Sequence, residues 1–361
     1  MLYYNNNTVL SLKYSIIAPP QLFKLCYNFI KRSEINLASI NDVAKLAKVS
    51  KSTVSLVINN NGYVSDETRE KVQKAIKELN YIPSRLAQGL SKNHSGLIAV
   101  VVPDAAHPYF STLIKSIEQE LASKEYMTIV CSAKQNEKNE QWYIEMLNRK
   151  IVDGIITAGH TIDQNAYKNS SRPIVSIDRY INDNIPIVRA DHEKAAKLAA
   201  DKLLSLGCKN IFHFSGTPNI DVQSDIFNDV LHQTLTQAKV NVNSVYIGHN
   251  TFHISEYKKA SDELFNRFSN IDAVVGVDAA IAFCLKKAYE KKISVPEKLK
   301  LLAYDGTYIT KLHTPVISAI CQPIEQIGEC AAQLIVKIIN EEKLEKMQYI
   351  LPVHFENGQT L

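Results

Sequence analysis

Nowhere in this 361-residue chain does an apolar run approach the roughly 20 residues that a membrane-crossing helix requires. No coherent leader with a cleavage site is legible either. Both absences point to a soluble, cytoplasmic protein without a membrane partner. The six cysteines, at positions 26, 131, 208, 284, 321 and 330, contain no C-x-x-C pair and no zinc spacing. They read as buried thiols in a reducing compartment, with no metal expected. Also missing are a P-loop, a G-x-S-x-G elbow and an H-E-x-x-H helix. His249 and His253 stand at i and i+4, but they lack a third ligand and read as surface. Neither an enzyme nor a cofactor is therefore expected.

With 45% hydrophobic and 22% charged residues the chain can bury a sizeable core, and its length suggests two or three domains. Its net charge of +4 is unevenly spread. Residues 39–94 carry nine Lys/Arg and five Asp/Glu, net +4, and residues 1–38 carry four and one, net +3, which leaves −3 for the remainder. A basic head on a mildly acidic body fits a polyanion-binding head.

The head is most legible from Ser39 onward. Ser39 followed by Asp42 is a capping-box pattern, and Val43, Ala44 and Ala47 form one face of the helix it opens. After the short Lys48-Val49 turn, Ser50 can cap a second helix whose Val54 and Val57 face the first. The alanines allow close approach across so tight a corner, and the arrangement is a helix-turn-helix. A third helix, capped by Ser65 with Thr68 three residues on, brings Val72, Ala75, Ile76 and Leu79 over the other two. Then follows Tyr81-Ile82-Pro83-Ser84-Arg85-Leu86-Ala87-Gln88-Gly89-Leu90. A helix this short, weakened further by Gly89, does not hold together alone.

From DVAKLAKVSKSTVS through VSDETREKV to YIPSRLAQGL, the chain resembles the LacI/GalR family of bacterial transcriptional regulators. More loosely, the resemblance continues to the end of the chain. It implies a homodimer on palindromic double-stranded operator DNA. Lys51, Ser52 and Leu56 fall at the family's base-reading positions. Lys51 can donate to guanine, while Leu56, where many relatives carry arginine, can only touch a thymine methyl. Ser50, Thr53, Ser55 and Asn59 are the candidate phosphate contacts. In the hinge, Arg85, Ala87 and Leu90 are the minor-groove residues, with Leu90 as the wedge that kinks the operator. Residues 1–38 depart from the family pattern. They are expected to reflect a start site assigned too early, the rival reading being a basic arm that touches DNA.

From Ser95 onward, short apolar runs alternate with helical stretches, as in Leu97–Val102, Met127–Ser132, Gly154–Ala158 and Ile174–Ile177. A second series begins at Asp191. The fold class read from this is α/β with an all-α head, a helix-turn-helix domain followed by doubly wound parallel sheets. By resemblance the sheets form a two-lobed, periplasmic-binding-protein-like effector domain. The domain reading is 1–38 extension, 39–82 DNA-binding head, 83–94 hinge and linker, and 95–361 effector domain. Lobe 1 takes 95–190 and 322–349, and lobe 2 takes 191–319 and 350–361.

Open parallel sheets bind ligands at the carboxyl ends of their strands. That rule nominates Asp104, His107, Tyr109, Phe110, Asp178, Arg179, Asp191, Asp278 and Asp305. Carboxylates with an aromatic ring suit a sugar, and a sugar or sugar phosphate is the effector expected, although an aspartate at a strand end is as readily a helix cap or loop residue. By resemblance, Asp178, Asp305 and Gln322 match effector-binding positions of relatives. Gln223 stands where relatives often have an arginine, His107 replaces a common asparagine, and Val277-Asp278 replaces Asn-Asp. The function expected is a dimeric, effector-controlled repressor of carbohydrate-utilisation genes. Control by a partner phosphoprotein or a non-sugar metabolite is the alternative, and a transport solute-binding protein is disfavoured by the DNA head.

Overall fold

The computed structural model describes residues 38–82, 94–133, 137–159, 167, 172–216, 222–248 and 252–361. The hinge residues Arg85, Ala87 and Leu90, the amino-terminal extension up to residue 37, and His249 lie outside them. The chain divides into two compact units, a head within residues 1–88 and a body within 89–361.

In the head, α1 (Ile40–Ala47) starts at a complete capping box. The Ser39 N–H donates to Asp42 Oδ2 at 2.9 Å, and the Asp42 N–H donates to Ser39 Oγ at 3.3 Å. Lys48, at φ 54°, turns the chain out of α1. Ser50 Oγ then accepts the Thr53 N–H at 3.0 Å to open α2 (Lys51–Ile58). Val43, Ala44, Ala47, Val54 and Val57 pack with Val72 and Ala75 of α3 (Asp66–Glu78) into one small core. The expected cap at Ser65 is not formed. Its hydroxyl donates to Thr68 Oγ1 at 2.9 Å and bonds no backbone N–H. Asp66 and Glu67 place negative charge in the first turn instead, where the helix dipole favours it.

In the body, β1 (Leu97–Val102) shows why both faces of the first sheet are covered. Ile98, Val100 and Val102 enter one core while Ala99 and Val101 enter another, so a continuous apolar run alternates between two buried faces. Around it run α4 (Pro108–Ser123), β2 (Met127–Ser132), α5 (Glu137–Asn148), β3 (Gly154–Thr157), β4 (Ile174–Ile177) and β5 (Ile187–Ala190). The second sheet is built from β6 (Asn210–Gly216), β7 (Asn241–Ile247), β8 (Ala273–Val277), β9 (Lys300–Asp305) and β10 (Ser318–Cys321). Between them lie α6 (His192–Ser205), α7 (Asp225–Gln237), α8 (Ile254–Arg267) and α9 (Asp278–Glu290). Then α10 (Ile324–Ile339) returns to the first lobe, and β11 (Gln348–Leu351) and β12 (His354–Glu356) finish one sheet each.

The orders are β11-β5-β4-β3-β1-β2 and β12-β10-β9-β8-β6-β7. Every pairing in the first is parallel, whereas β12 runs antiparallel to β10, a departure from the parallel expectation. Because β11 pairs with β5, Ile350 and Leu351 belong to the first sheet, and the chain crosses after Leu351 rather than after residue 349. The crossings follow β5, β10 and β11, all at strand carboxyl ends. In the first lobe α10 lies close on α4, where a Cβ on Gly328 would meet Ser116 Cβ and Oγ at 2.9 Å. Ser116 Oγ fastens the contact by donating to the Glu325 carbonyl at 2.6 Å.

Candidate functional site

On the head, α2 turns Val54 and Val57 inward, which leaves Lys51 and Ser52 exposed and Thr53, Ser55 and Asn59 half-buried. Ser50, Ser55 and Asn59 are already engaged within the helix. Ser50 Oγ caps it and contacts the hydroxyls of Ser52 and Thr53 at 2.6 and 2.8 Å, and Asn59 Nδ2 donates to Ser55 Oγ at 3.2 Å. Leu56 is only 37% exposed, and a Cβ on Gly62 would lie 3.3 Å from its Cδ2, so the leucine leans on the turn after α2.

In the body, the carboxyl ends of strands from both sheets enclose a cavity of about 240 Å³. His107, Tyr109 and Phe110 enter it from the start of α4, and Ile177 and Asp178 from the end of β4. The second lobe supplies Ser215, Phe227, Tyr304 and Asp305, with Gln322 just past β10. Aromatic contacts knit its wall together. Phe252 meets His107 and Phe110 at 5.3 and 5.4 Å between ring centres, and Phe227 stacks on Tyr304 at 4.0 Å with 9° between planes.

Two polar devices sit in this wall. His192, buried in the first turn of α6, hydrogen-bonds Asp178 Oδ1 through Nε2 and the Tyr304 hydroxyl through Nδ1. A first-lobe carboxylate is thereby joined to a second-lobe phenol. The Gln223 N–H also crosses, donating to the Asp178 carbonyl at 3.0 Å. The second device is the carboxyl pair at the ends of β8 and β9. Asp278 accepts from Gly306 N at 3.2 Å and from Thr307 N and Oγ1 at 2.6 Å each. Asp305 accepts one amide proton, from Gln322 Nε2 at 2.8 Å. Burial, with the Asp278 charge beside it, holds Asp305 well above the usual carboxylate range. Burial raises the Asp278 carboxyl as well, but its three hydrogen bonds favour the charged form, so the proton held by the pair resides on Asp305.

Of the histidines, His107 and His213 line the cavity directly and are neutral, because burial lowers His107 to about 4 and His213 to about 3. Among the described residues, His107 Nδ1 and Ser215 Oγ are buried without a hydrogen-bond partner. No lysine or arginine lines the cavity among those residues, whereas Asp178, Asp225 and Asp305 do.

The sequence-nominated residues thus divide. His107, Tyr109, Phe110, Asp178, Asp305 and Gln322 meet in the cavity wall. Asp104 instead accepts the Ala106 N–H in the turn before α4, and Asp191 caps α6 through the Lys194 N–H. Arg179 is buried and donates to the Gly159 carbonyl, and Asp278 lies beneath the Gly306 turn. Gln223 contributes its backbone. His192, Ser215, Phe227, Phe252 and Tyr304 belong to the site without being among the sequence-nominated residues. For His192 the signal was available, since it directly follows the strand-end residue Asp191. Tyr304 stands one residue before the nominated Asp305.

Known proteins resemble both parts of the chain. Residues 39–84 match the family described as bacterial regulatory proteins, lacI family. Residues 95–358 match periplasmic binding proteins and sugar binding domain of LacI family. The chain is 32% identical over 317 residues to the ribose operon repressor of Halalkalibacterium halodurans, covering 88% of this chain and 95% of that one. It is 32% identical over 331 residues to the sucrose operon repressor of Streptococcus mutans, covering 90% and 100%. In fold it is similar to the Lac repressor dimer bound to operator and the anti-inducer ONPF, with a TM-score of 0.78, 23% identity, and coverage of 90% and 98%. A capped helix-turn-helix ahead of two sheets that close on a shared cavity, matched along nearly the whole length after residue 38, makes this chain a member of the LacI family of bacterial regulatory proteins.

Proposed function

We propose that this chain is a sequence-specific, DNA-binding repressor of carbohydrate-utilisation genes. It acts as a homodimer on a palindromic operator, and a neutral, single-ring sugar in the inter-lobe cavity sets its operator affinity. The relatives named for ribose and sucrose repression support a sugar-responsive switch. The carrying observation is the cavity wall itself. Its carboxyls, its neutral imidazole and the unpaired Ser215 hydroxyl can exchange hydrogen bonds with sugar hydroxyls, and the rings can cover an apolar sugar face. A phosphate ester would enter a site with carboxyls and no lining cation among the described residues, at a heavy desolvation cost. The cavity of about 240 Å³ is below the roughly 300–1,000 Å³ of drug-sized sites, and so favours one ring over two.

Control follows from the polar chain between the lobes. The Asp178–His192–Tyr304 link and the Gln223 contact hold one arrangement of the two lobes. A ligand that bonds better to a different arrangement shifts the population by its differential affinity. Thermal-shift measurements with ribose, fructose, sucrose and ribose 5-phosphate test this, followed by operator-binding anisotropy with any hit. A neutral monosaccharide should raise the melting temperature and alter operator affinity, while the phosphate should do neither. Stabilisation by the phosphate alone would overturn the charge argument, and silence from every sugar would favour a partner phosphoprotein or another metabolite.

A further inference from the structure

Cys321, at the carboxyl end of β10, stands directly opposite His354 of β12 in the antiparallel register, and Glu356 is two residues further on. Alternation along a strand puts His354 and Glu356 on one face, so both reach the same thiol. One donor atom from each of the three side chains lies within 4.8 Å of the other two. Cys321 is 3% exposed, His354 is exposed and Glu356 is half-buried, so the cluster opens to solvent on its imidazole side. The sulfur is held in place. It donates to Glu356 Oε2 at 3.5 Å, and a Cβ on Gly306 would come within 2.2 Å of it. Lys311 occupies only the other carboxylate oxygen, Oε1, at 3.1 Å.

We propose that Cys321, His354 and Glu356 form a Zn2+ site on the outer edge of the second sheet. A soft sulfur with a borderline imidazole and one carboxylate oxygen selects zinc over magnesium or calcium, and water fills the fourth position. On binding, the thiol gives its proton to solvent and the hydrogen bond from sulfur to Glu356 is replaced by two metal bonds. Thiolate and carboxylate neutralise the ion, and the imidazole binds through a ring nitrogen. The bound ion ties the edge strand β12 to β10 one residue before Gln322, whose amide holds Asp305 in the cavity. Spacing could not have disclosed the site, because Cys321 and Glu356 are 35 residues apart in the chain.

Titration of the full-length, reduced, chelator-treated protein with Co2+ and then Zn2+ tests the assignment. One equivalent of cobalt should give a sulfur-to-metal charge-transfer band in the near ultraviolet, and zinc should bleach it. Cys321→Ser should abolish the band. His354→Ala, at an exposed position that leaves folding intact, should weaken zinc binding by at least about tenfold. No band, a band that survives Cys321→Ser, or one indifferent to His354→Ala overturns the site.

Discussion

Asp305→Asn addresses the charge state of the cavity. In the folded protein the Asp305 carboxyl is pushed well up, by burial first and by the neighbouring Asp278 charge second, whereas in the unfolded chain it returns to near 3.8. Above that value the folded state holds a proton that the unfolded state has released. The stability associated with this carboxyl is therefore complete below the unfolded pKa and is lost as pH rises toward the folded one. A difference of one proton is worth about 1.36 kcal/mol per pH unit for as long as the folded state keeps it. Asparagine keeps the shape and an acceptor for Gln322 Nε2, but carries no such proton. Urea unfolding of both proteins at steps from pH 5 to pH 7 should show the difference moving in favour of the asparagine variant as pH rises, with a slope of at most about 1.36 kcal/mol per pH unit. Because Asp278 and Asp305 titrate together, the slope belongs to the pair. A difference that stays flat with pH, or moves toward the wild type, refutes the protonated Asp305.

Further consequences can be measured independently. Asp305→Ala should abolish the response to the effector while leaving operator binding intact, and a surviving response in a reporter assay would remove Asp305 from the site. Ser215→Ala deletes a hydroxyl with no partner among the described residues. Stability should change by less than about 0.5 kcal/mol while calorimetry shows effector affinity falling about threefold to tenfold. Lys51→Ala should relax base preference at one position per half-site at a cost of about 1–3 kcal/mol, and a uniform loss across operator variants would mean that it holds phosphate. Gly328→Val should destabilise the body by about 2 kcal/mol or more in denaturant, since its Cβ has no room beside Ser116.

Local signals were strong where backbone chemistry repeats within a few residues. The capping box at Ser39 and the cap at Ser50 are satisfied as their spacing implies, and the runs Leu97–Val102, Met127–Ser132 and Ile174–Ile177 are strands end to end. Weak alternation hid β7, whose Asn241-Val242-Asn243-Ser244 opening is half-exposed at a sheet edge. Short length hid β10 and β12, which exist by pairing with neighbours distant in the chain. The strand-end rule found the cavity but not its chemistry. Asp104 and Asp191 obey it and yet serve turns and caps, because aspartate suits both roles. His192 and Tyr304 work through partners in other elements, and a linear sequence does not display such pairs.

The division of polar groups between the lobes bears on how the proposed ligand would act on both. His107 and Asp178 belong to the first lobe, and Ser215, Tyr304 and Asp305 to the second. Asp178 and Tyr304 are already joined through His192, so a ligand that merely repeated that bridge would gain little. His107 Nδ1 and Ser215 Oγ, one from each lobe, have no partner among the described residues. Satisfying a buried polar atom recovers roughly 1–3 kcal/mol, so a ligand that reaches both has about 2–6 kcal/mol with which to discriminate between arrangements. The upper end of that range matches the roughly 5.5 kcal/mol needed to carry a two-state equilibrium from one extreme to the other. The leverage for switching by the proposed ligand therefore rests on a bond to each lobe, and a ligand that bonds one lobe alone should bind without changing operator affinity.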